Sequence, residues 1–226
     1  MNRLSKWLRS VLDHEDEDIF HQPIYEAFWD TLNPTQGESL LAINCRHTEL
    51  FRSAFNRGIE SSGIHRSQKQ MRETRQKDPH ATLRLWKGAE IPFRENEVDY
   101  IFEFDSFECF SDIDVGLQEV QRVLKPDGVF VAVVPNKDFI LSSKYPLSDK
   151  TAASKGYLER SLGEWKRVFR QAGFTIADIK KDQFFVRHRH QMNGMQGSDW
   201  KVATKDALLA ILPLNYAHRF VFFLKY

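Results

Sequence analysis

The sequence predicts one α/β domain built on a mostly parallel, doubly wound sheet. Three observations carry this. From residue 39 onward, short apolar runs alternate with amphipathic segments in strand–helix order. The run 129–134 (VFVAVV) is apolar without a break, the mark of a strand covered on both faces. Before it stands Lys125-Pro126-Asp127-Gly128, which stops a helix and turns the chain.

Taken in order, residues 3–12 read as a helix, because Leu4, Trp7, Leu8, Val11 and Leu12 recur at helical spacing. An acidic run, 13–18 (DHEDED), reads as a solvated connection. A second helix follows Pro23, with Ile24, Phe28 and Leu32 on one side, and ends at Asn33-Pro34 because a residue before proline avoids the helical region. Residues 39–43 (SLLAI) form a buried strand. Leu50, Phe51, Ala54 and Phe55 give a helical stripe that stops near Gly58. Strand 60–64, a polar helix 67–77, strand 81–86 and strand 98–104 (VDYIFEF) follow, then a helix over about 113–124. Beyond the strand at 129–134, residues 162–172 read as a helix closed by Gly173, 174–179 as a strand, 207–212 as helix and 219–226 (RFVFFLKY) as a late aromatic strand. Residues 1–35 are thus expected as N-terminal helices and 36–226 as the α/β domain, with a helical insertion at about 181–218.

The composition narrows the function classes. With 226 residues and 42% apolar content, the chain can bury a full core as one large domain. A net charge of +1 provides no global field to recruit nucleic acid. Cys45 and Cys109 form no CxxC pair, which argues against a disulfide scaffold or zinc site and suits a reducing compartment. No run approaches the roughly 20 apolar residues of a membrane span, and no signal core follows the N-terminus. The expectation is a cytoplasmic protein with no membrane span and no nucleic-acid partner.

Two stretches carry a family resemblance. Ile91-Pro92-Phe93-Arg94-Glu95-Asn96-Glu97-Val98-Asp99 is similar to the "LPF-x-(D/E)-N-x-(F/V)-D" approach to strand four of the class I S-adenosylmethionine (SAM)-dependent methyltransferases. Leu117 to Gly128 (LQEVQRVLKPDG) resembles that family's "L-x-E-x-x-R-V-L-K-P-G-G" link into strand five. The resemblance covers roughly residues 36–180, is of the methyltransferase type 11 kind, and implies a Rossmann-like sheet of seven strands whose last strand runs antiparallel. It also implies a SAM cleft at the carboxyl ends of strands one, two and four, where open α/β sheets bind ligands.

Laid on the family's "D-x-G-x-G-x-G" loop, this chain has Ala42 at the aspartate and Asn44, Arg46 and Thr48 at the glycines. His65 stands where an acidic residue would meet the ribose, and Lys87 or Gly88, followed by Ala89, stands near the adenine position. The implied cofactor-contacting set is therefore Asn44, Arg46, Thr48, His65, Gly88, Ala89 and Phe104. Arg46, Lys87 and Arg66 add positive charge where the family has negative or neutral groups. The expectation is a degenerate cofactor site, with SAM binding weak or absent, in a non-catalytic or altered-ligand binding module. The alternative is an active SAM-dependent methyltransferase acting on a small molecule.

Other residues carry competing readings. Asp105 and Glu108, just past strand four, are candidates for a general base, while Asp105 or Ser106 also suits a cap of the next turn. His188 and His190, alternating with Arg187 and Arg189, could take a metal with His218, though a solvated basic edge is the simpler reading. No metal is expected. Arg66, Lys69, Arg72 and Arg75 recur on a helix face that is most simply solvated. The N-terminal helix containing Trp7 reads as a lid or partner helix rather than a membrane-surface one. Phe184, Phe185, Trp200 and Leu208 read as substrate-pocket, core or dimer residues. The expected partners are a small-molecule ligand and either a second copy of the chain or an active methyltransferase.

Overall fold

The computed structural model describes residues 22–44, 48–104, 106–138, 160–181, 213–217 and 219–226. The element order is α1 (Gln22–Leu32), β1 (Ser39–Ile43), α2 (Glu49–Asn56), β2 (Glu60–His65), α3 (Gln68–Lys77), β3 (Thr82–Leu85) and β4 (Val98–Phe104). A 3-10 turn at Phe107–Cys109 leads to α4 (Ile113–Val123) and β5 (Leu124–Pro135). Then come α5 (Leu162–Gln171), β6 (Thr175–Lys181), a second 3-10 turn at Leu214–Tyr216 and β7 (Arg219–Lys225). The helices expected at 3–12 and 207–212 lie outside the described residues.

The seven strands form one sheet in the order β3-β2-β1-β4-β5-β7-β6. β1 to β5 are mutually parallel, and β7 runs antiparallel between β5 and β6. The sheet reverses direction of growth between β1 and β4, which makes the carboxyl ends of these strands the expected ligand crevice.

Alternation along the strands feeds two cores. Leu41, Ile43, Ile101, Phe130, Ala132 and Val134 face α4 and α5, where Leu117, Val120, Trp165 and Phe169 cover them. Leu40, Ala42, Phe102, Val131 and Val133 face the other way, toward Phe28, Trp29, Leu50 and Phe51 of α1 and α2. Helix α1 is thus welded to the sheet: Phe28 meets Phe102 edge-on at 5.2 Å, and Trp29 lies 5.5 Å from the same ring. Helix α5 starts with a capping box, in which Ser161 and Glu164 satisfy each other's backbone amides.

One boundary differs from the sequence expectation. The segment Lys125-Pro126-Asp127-Gly128 was expected as a turn ahead of a strand at 129, yet β5 already begins at Leu124, opposite Val98. Leu124 leaves the helix in extended backbone, φ −72° and ψ 135°. Proline at 126 favours extension in the residue before it, so the chain enters the sheet at once and absorbs the mismatch as a register shift between Val98 and Tyr100.

The two family-like stretches bind each other. Arg122 donates to the carbonyls of Ile91 and Phe93, both at 2.9 Å, and forks onto Glu119, whose carboxylate also accepts the Ile91 amide at 2.8 Å. The spacing E-x-x-R therefore pins the turn that launches β4.

Candidate functional site

Strand β1 ends in Asn44, which holds a left-handed backbone, φ +48°. Asparagine tolerates that region better than most side chains, so the chain turns here without a glycine. Asn44 is 6% exposed. Its amide donates to the Ile64 carbonyl at 2.7 Å, and its Nδ2 donates to Cys109 Sγ at 3.0 Å. Its Oδ1 is buried and has no hydrogen-bond partner among the described residues. Arg46 lies outside the described residues. Thr48 is buried ahead of α2, where its carbonyl accepts the Phe51 and Arg52 amides.

Strand β2 ends in His65, wholly buried, with neither ring nitrogen hydrogen-bonded among the described residues. Burial holds this imidazole below its ordinary pKa, so it is neutral near pH 7. The next residue behaves otherwise. Arg66 is exposed and reaches across the strand ends to donate Nη1 to the Cys109 carbonyl at 3.1 Å. It precedes the helix, because Ser67 is the N-cap of α3 and accepts the Gln70 amide. Arg66 therefore does not share the helix face with Lys69, Arg72 and Arg75, as the spacing had suggested.

After β3 the chain passes Trp86, Lys87 and Gly88. Gly88 is buried with φ +92°, and a Cβ there would lie 2.7 Å from the Cys109 carbonyl oxygen and 3.4 Å from Arg66 Cζ. Only glycine fits both that backbone and that approach. The Gly88 carbonyl accepts the Ser111 amide at 2.8 Å, while Ala89 is exposed.

Strand β4 ends in Phe104, partly exposed, with the Arg219 guanidinium 5.9 Å from its ring centre. Asp105 lies outside the described residues, and Glu108 is exposed in the 3-10 turn. Ser106 does not cap that turn through its side chain. Its backbone amide and its hydroxyl both donate to Glu103, and its hydroxyl also reaches the Ile43 carbonyl at 3.3 Å. Glu103 itself is fully buried, in register with Ile43 and Ala132. Sequence reasoning passed over it, although a lone acid inside the apolar run IFEF was the available signal.

The structure thus brings Asn44, Arg66 and Gly88 together around one residue, Cys109, at the ends of β1 and β2 and beyond β3. His65 is the last residue of β2 and turns into the protein, whereas Arg66 follows the strand and is exposed. Arg187, His188, Arg189, His190, Phe184, Phe185, Trp200, Leu208 and His218 all lie outside the described residues. Among the described residues, no cluster of three or more His, Cys, Asp or Glu side chains could hold a metal, and no helix is long and apolar enough to cross a membrane.

Comparison with known proteins agrees with this frame. Residues 41–132 match the family described as a methyltransferase domain. The chain is 20% identical over 203 residues to the mitochondrial arginine-hydroxylase NDUFAF5 of Danio rerio, covering 86% of this chain and 63% of that one. It is 27% identical over 124 residues to a demethylmenaquinone methyltransferase of Symbiobacterium thermophilum, covering 44% and 49%. It therefore spans less than two thirds of the length of either curated relative. Among solved structures, it superposes on a SAM-dependent methyltransferase from Aquifex aeolicus with a TM-score of 0.63 at 13% identity, covering 100% of both chains. A chain from the complex between the Haloferax volcanii Trm112 methyltransferase activator and the methyltransferase gives a TM-score of 0.65 at 16% identity, covering 99% and 97%. The resemblance read from residues 91–128 is borne out, and the fold is that of the class I SAM-dependent methyltransferases.

Proposed function

We propose that this methyltransferase-fold chain has an altered ligand cleft and works as a binding module for a ligand other than SAM held in the usual manner. The observation that carries the reading is the convergence on Cys109. The Asn44 amide and the Arg66 guanidinium both reach across the strand ends to this residue. Where the resemblance implies carboxylates at the ends of the first two strands, the chain has Ala42 and His65. SAM carries a sulfonium and an amino group, so the Arg66 cation is a poor neighbour for it. Each lost hydrogen bond to a carboxylate weakens binding by about 1.5–3 kcal/mol, and two together weaken it roughly a hundredfold or more. A protein partner belongs to this reading, either a second copy or an active methyltransferase. The Haloferax structure, a complex of a methyltransferase with an activator, offers a precedent for assembly.

A second reading is an active SAM-dependent methyltransferase on a small molecule. It is favoured by the buried Glu103, a carboxylate at the end of β4 where β1 and β2 have none. Under it, Asn44 and Thr48 line the methionine end, His65 the ribose, Gly88 and Ala89 the adenine, and Asp105 or Glu108 serves as base; the bound cofactor would supply an electrophilic methyl group. Calorimetric titration with SAM and S-adenosylhomocysteine separates the two. The binding-module reading expects no heat up to millimolar ligand, and micromolar binding at one site per chain overturns it.

A further inference from the structure

The end of β2 shows what kind of ligand the altered cleft would prefer. In sheets of this topology the residue ending the second strand reads the nucleoside ribose: a carboxylate accepts the free hydroxyls, whereas an arginine nearby accommodates a phosphate on the ribose. Here the carboxylate is replaced by neutral His65, and Arg66 follows it. The Arg66 guanidinium is exposed, forms no salt bridge among the described residues, and spends one N–H on the Cys109 carbonyl. That leaves the rest of its donor fork for an anion.

Two further features fit. The first turn of α3 contains no acidic residue, and Lys69 there pairs with Glu73 one turn on, so the positive end of the helix dipole carries no carboxylate of its own helix. Beside it, Asn44 is more than nine-tenths buried with Oδ1 unpartnered among the described residues, and it touches the same Cys109 that holds Arg66. The site thus offers a cation and a fork of donors next to a buried acceptor. The exposed Glu108 is the nearest acid in the 3-10 turn, and it precedes the residue that holds Arg66.

We propose that the cleft around Arg66, Asn44 and Cys109 binds a ribonucleoside carrying a phosphate on its ribose, with Arg66 forked onto the phosphate and Asn44 Oδ1 accepting from a hydroxyl or amino group of the nucleoside. The assignment rests on the binding-module reading above and names its ligand class.

The test is titration calorimetry on the full chain with adenosine 2′-monophosphate, adenosine 5′-monophosphate, adenosine, inorganic phosphate and SAM. The 2′-monophosphate is expected to bind, and adenosine to bind at least about tenfold more weakly. Arg66→Ala should weaken the 2′-monophosphate by about ten- to a hundredfold, the worth of a charge-assisted fork, and Arg66→Lys should recover only part. Arg75→Ala, in the last turn of α3, should leave binding unchanged. Equal binding of inorganic phosphate would overturn the nucleoside half, and preference for the 5′-monophosphate would overturn the placement on the ribose hydroxyl side. No binding of any phosphate, with SAM also silent, overturns this inference while leaving the binding-module reading intact. Tight SAM binding overturns both.

Discussion

The carboxylate of Asp99 receives both the backbone N–H and the hydroxyl of Ser39, at 2.9 and 2.7 Å. One side chain on β4 therefore fixes where β1 begins. Lys125 closes the arrangement from β5, with Nζ 2.8 Å from the same carboxylate. Burial pushes the Asp99 carboxyl up, but the hydrogen bonds from Lys125 and Ser39 outweigh it and hold it below the ordinary aspartate range. A carboxylate with a lowered folded pKa adds stability above its unfolded pKa of about 3.9, and that stability is lost as pH falls through the folded value. Asp99→Asn should lower stability at pH 7 by about 1–3 kcal/mol in urea denaturation and flatten the acid limb below pH 4. An unchanged acid limb would show that Asp99 is not the group responsible.

Arg122 ties the segment before β4 to the helix before β5, through two carbonyls and one carboxylate. Arg122→Ala should cost about 1.5–3 kcal/mol, measured as a lowered urea midpoint. Arg122→Lys should recover little, because an ammonium cannot reproduce three directed contacts from a planar fork. Full rescue by lysine would show that charge, rather than geometry, is what matters here.

Gly116 sits mid-helix in α4, where alanine is normally favoured by about 1 kcal/mol. Here an added Cβ would stand 2.1 Å from Phe110 Cδ1, and that ring packs edge-on against Trp86 at 5.0 Å. Gly116→Ala should therefore destabilise by about 1–3 kcal/mol. Thermal unfolding decides it: a raised midpoint would mean the Phe110 ring moves aside freely.

His65 is buried and neutral, with both ring nitrogens lacking partners among the described residues. Its folded pKa lies below the unfolded value of about 6.5, so the stability it carries is present above that pH and is lost as the pH drops beneath it. His65→Leu removes the need to protonate on unfolding. It should leave stability at pH 8 within about 1 kcal/mol of the natural chain and raise it at pH 5.5. Matching pH profiles for the two proteins would place a hidden partner on His65.

The fold was legible because apolar runs and stops agree at every level: β1 and β4 stand where SLLAI and VDYIFEF predict them. The site was less so. Arg66 reads in the sequence as one of four cations spaced along a helix, but the N-cap at Ser67 leaves it outside that helix and free to cross the strand ends. Cys109 was weighed only as a disulfide or metal partner; its contacts with Asn44, Arg66 and Gly88 join segments that local patterning cannot pair. Glu103 was overlooked because one acid does not disturb a strand's hydrophobic pattern, and burial is known only once helices and neighbours are in place.

The position of β7 has a consequence for biosynthesis. Among the described residues β6 pairs only with β7, and β7 follows it by almost forty residues in the chain. During translation β5 and β6 lack the strand that lies between them in the fold until residues 219–225 leave the ribosome. β7 is the last of the described strands to be made, and an arrest or cleavage before it would leave the facing edges of β5 and β6 without their partner, edges of the kind that recruit other chains.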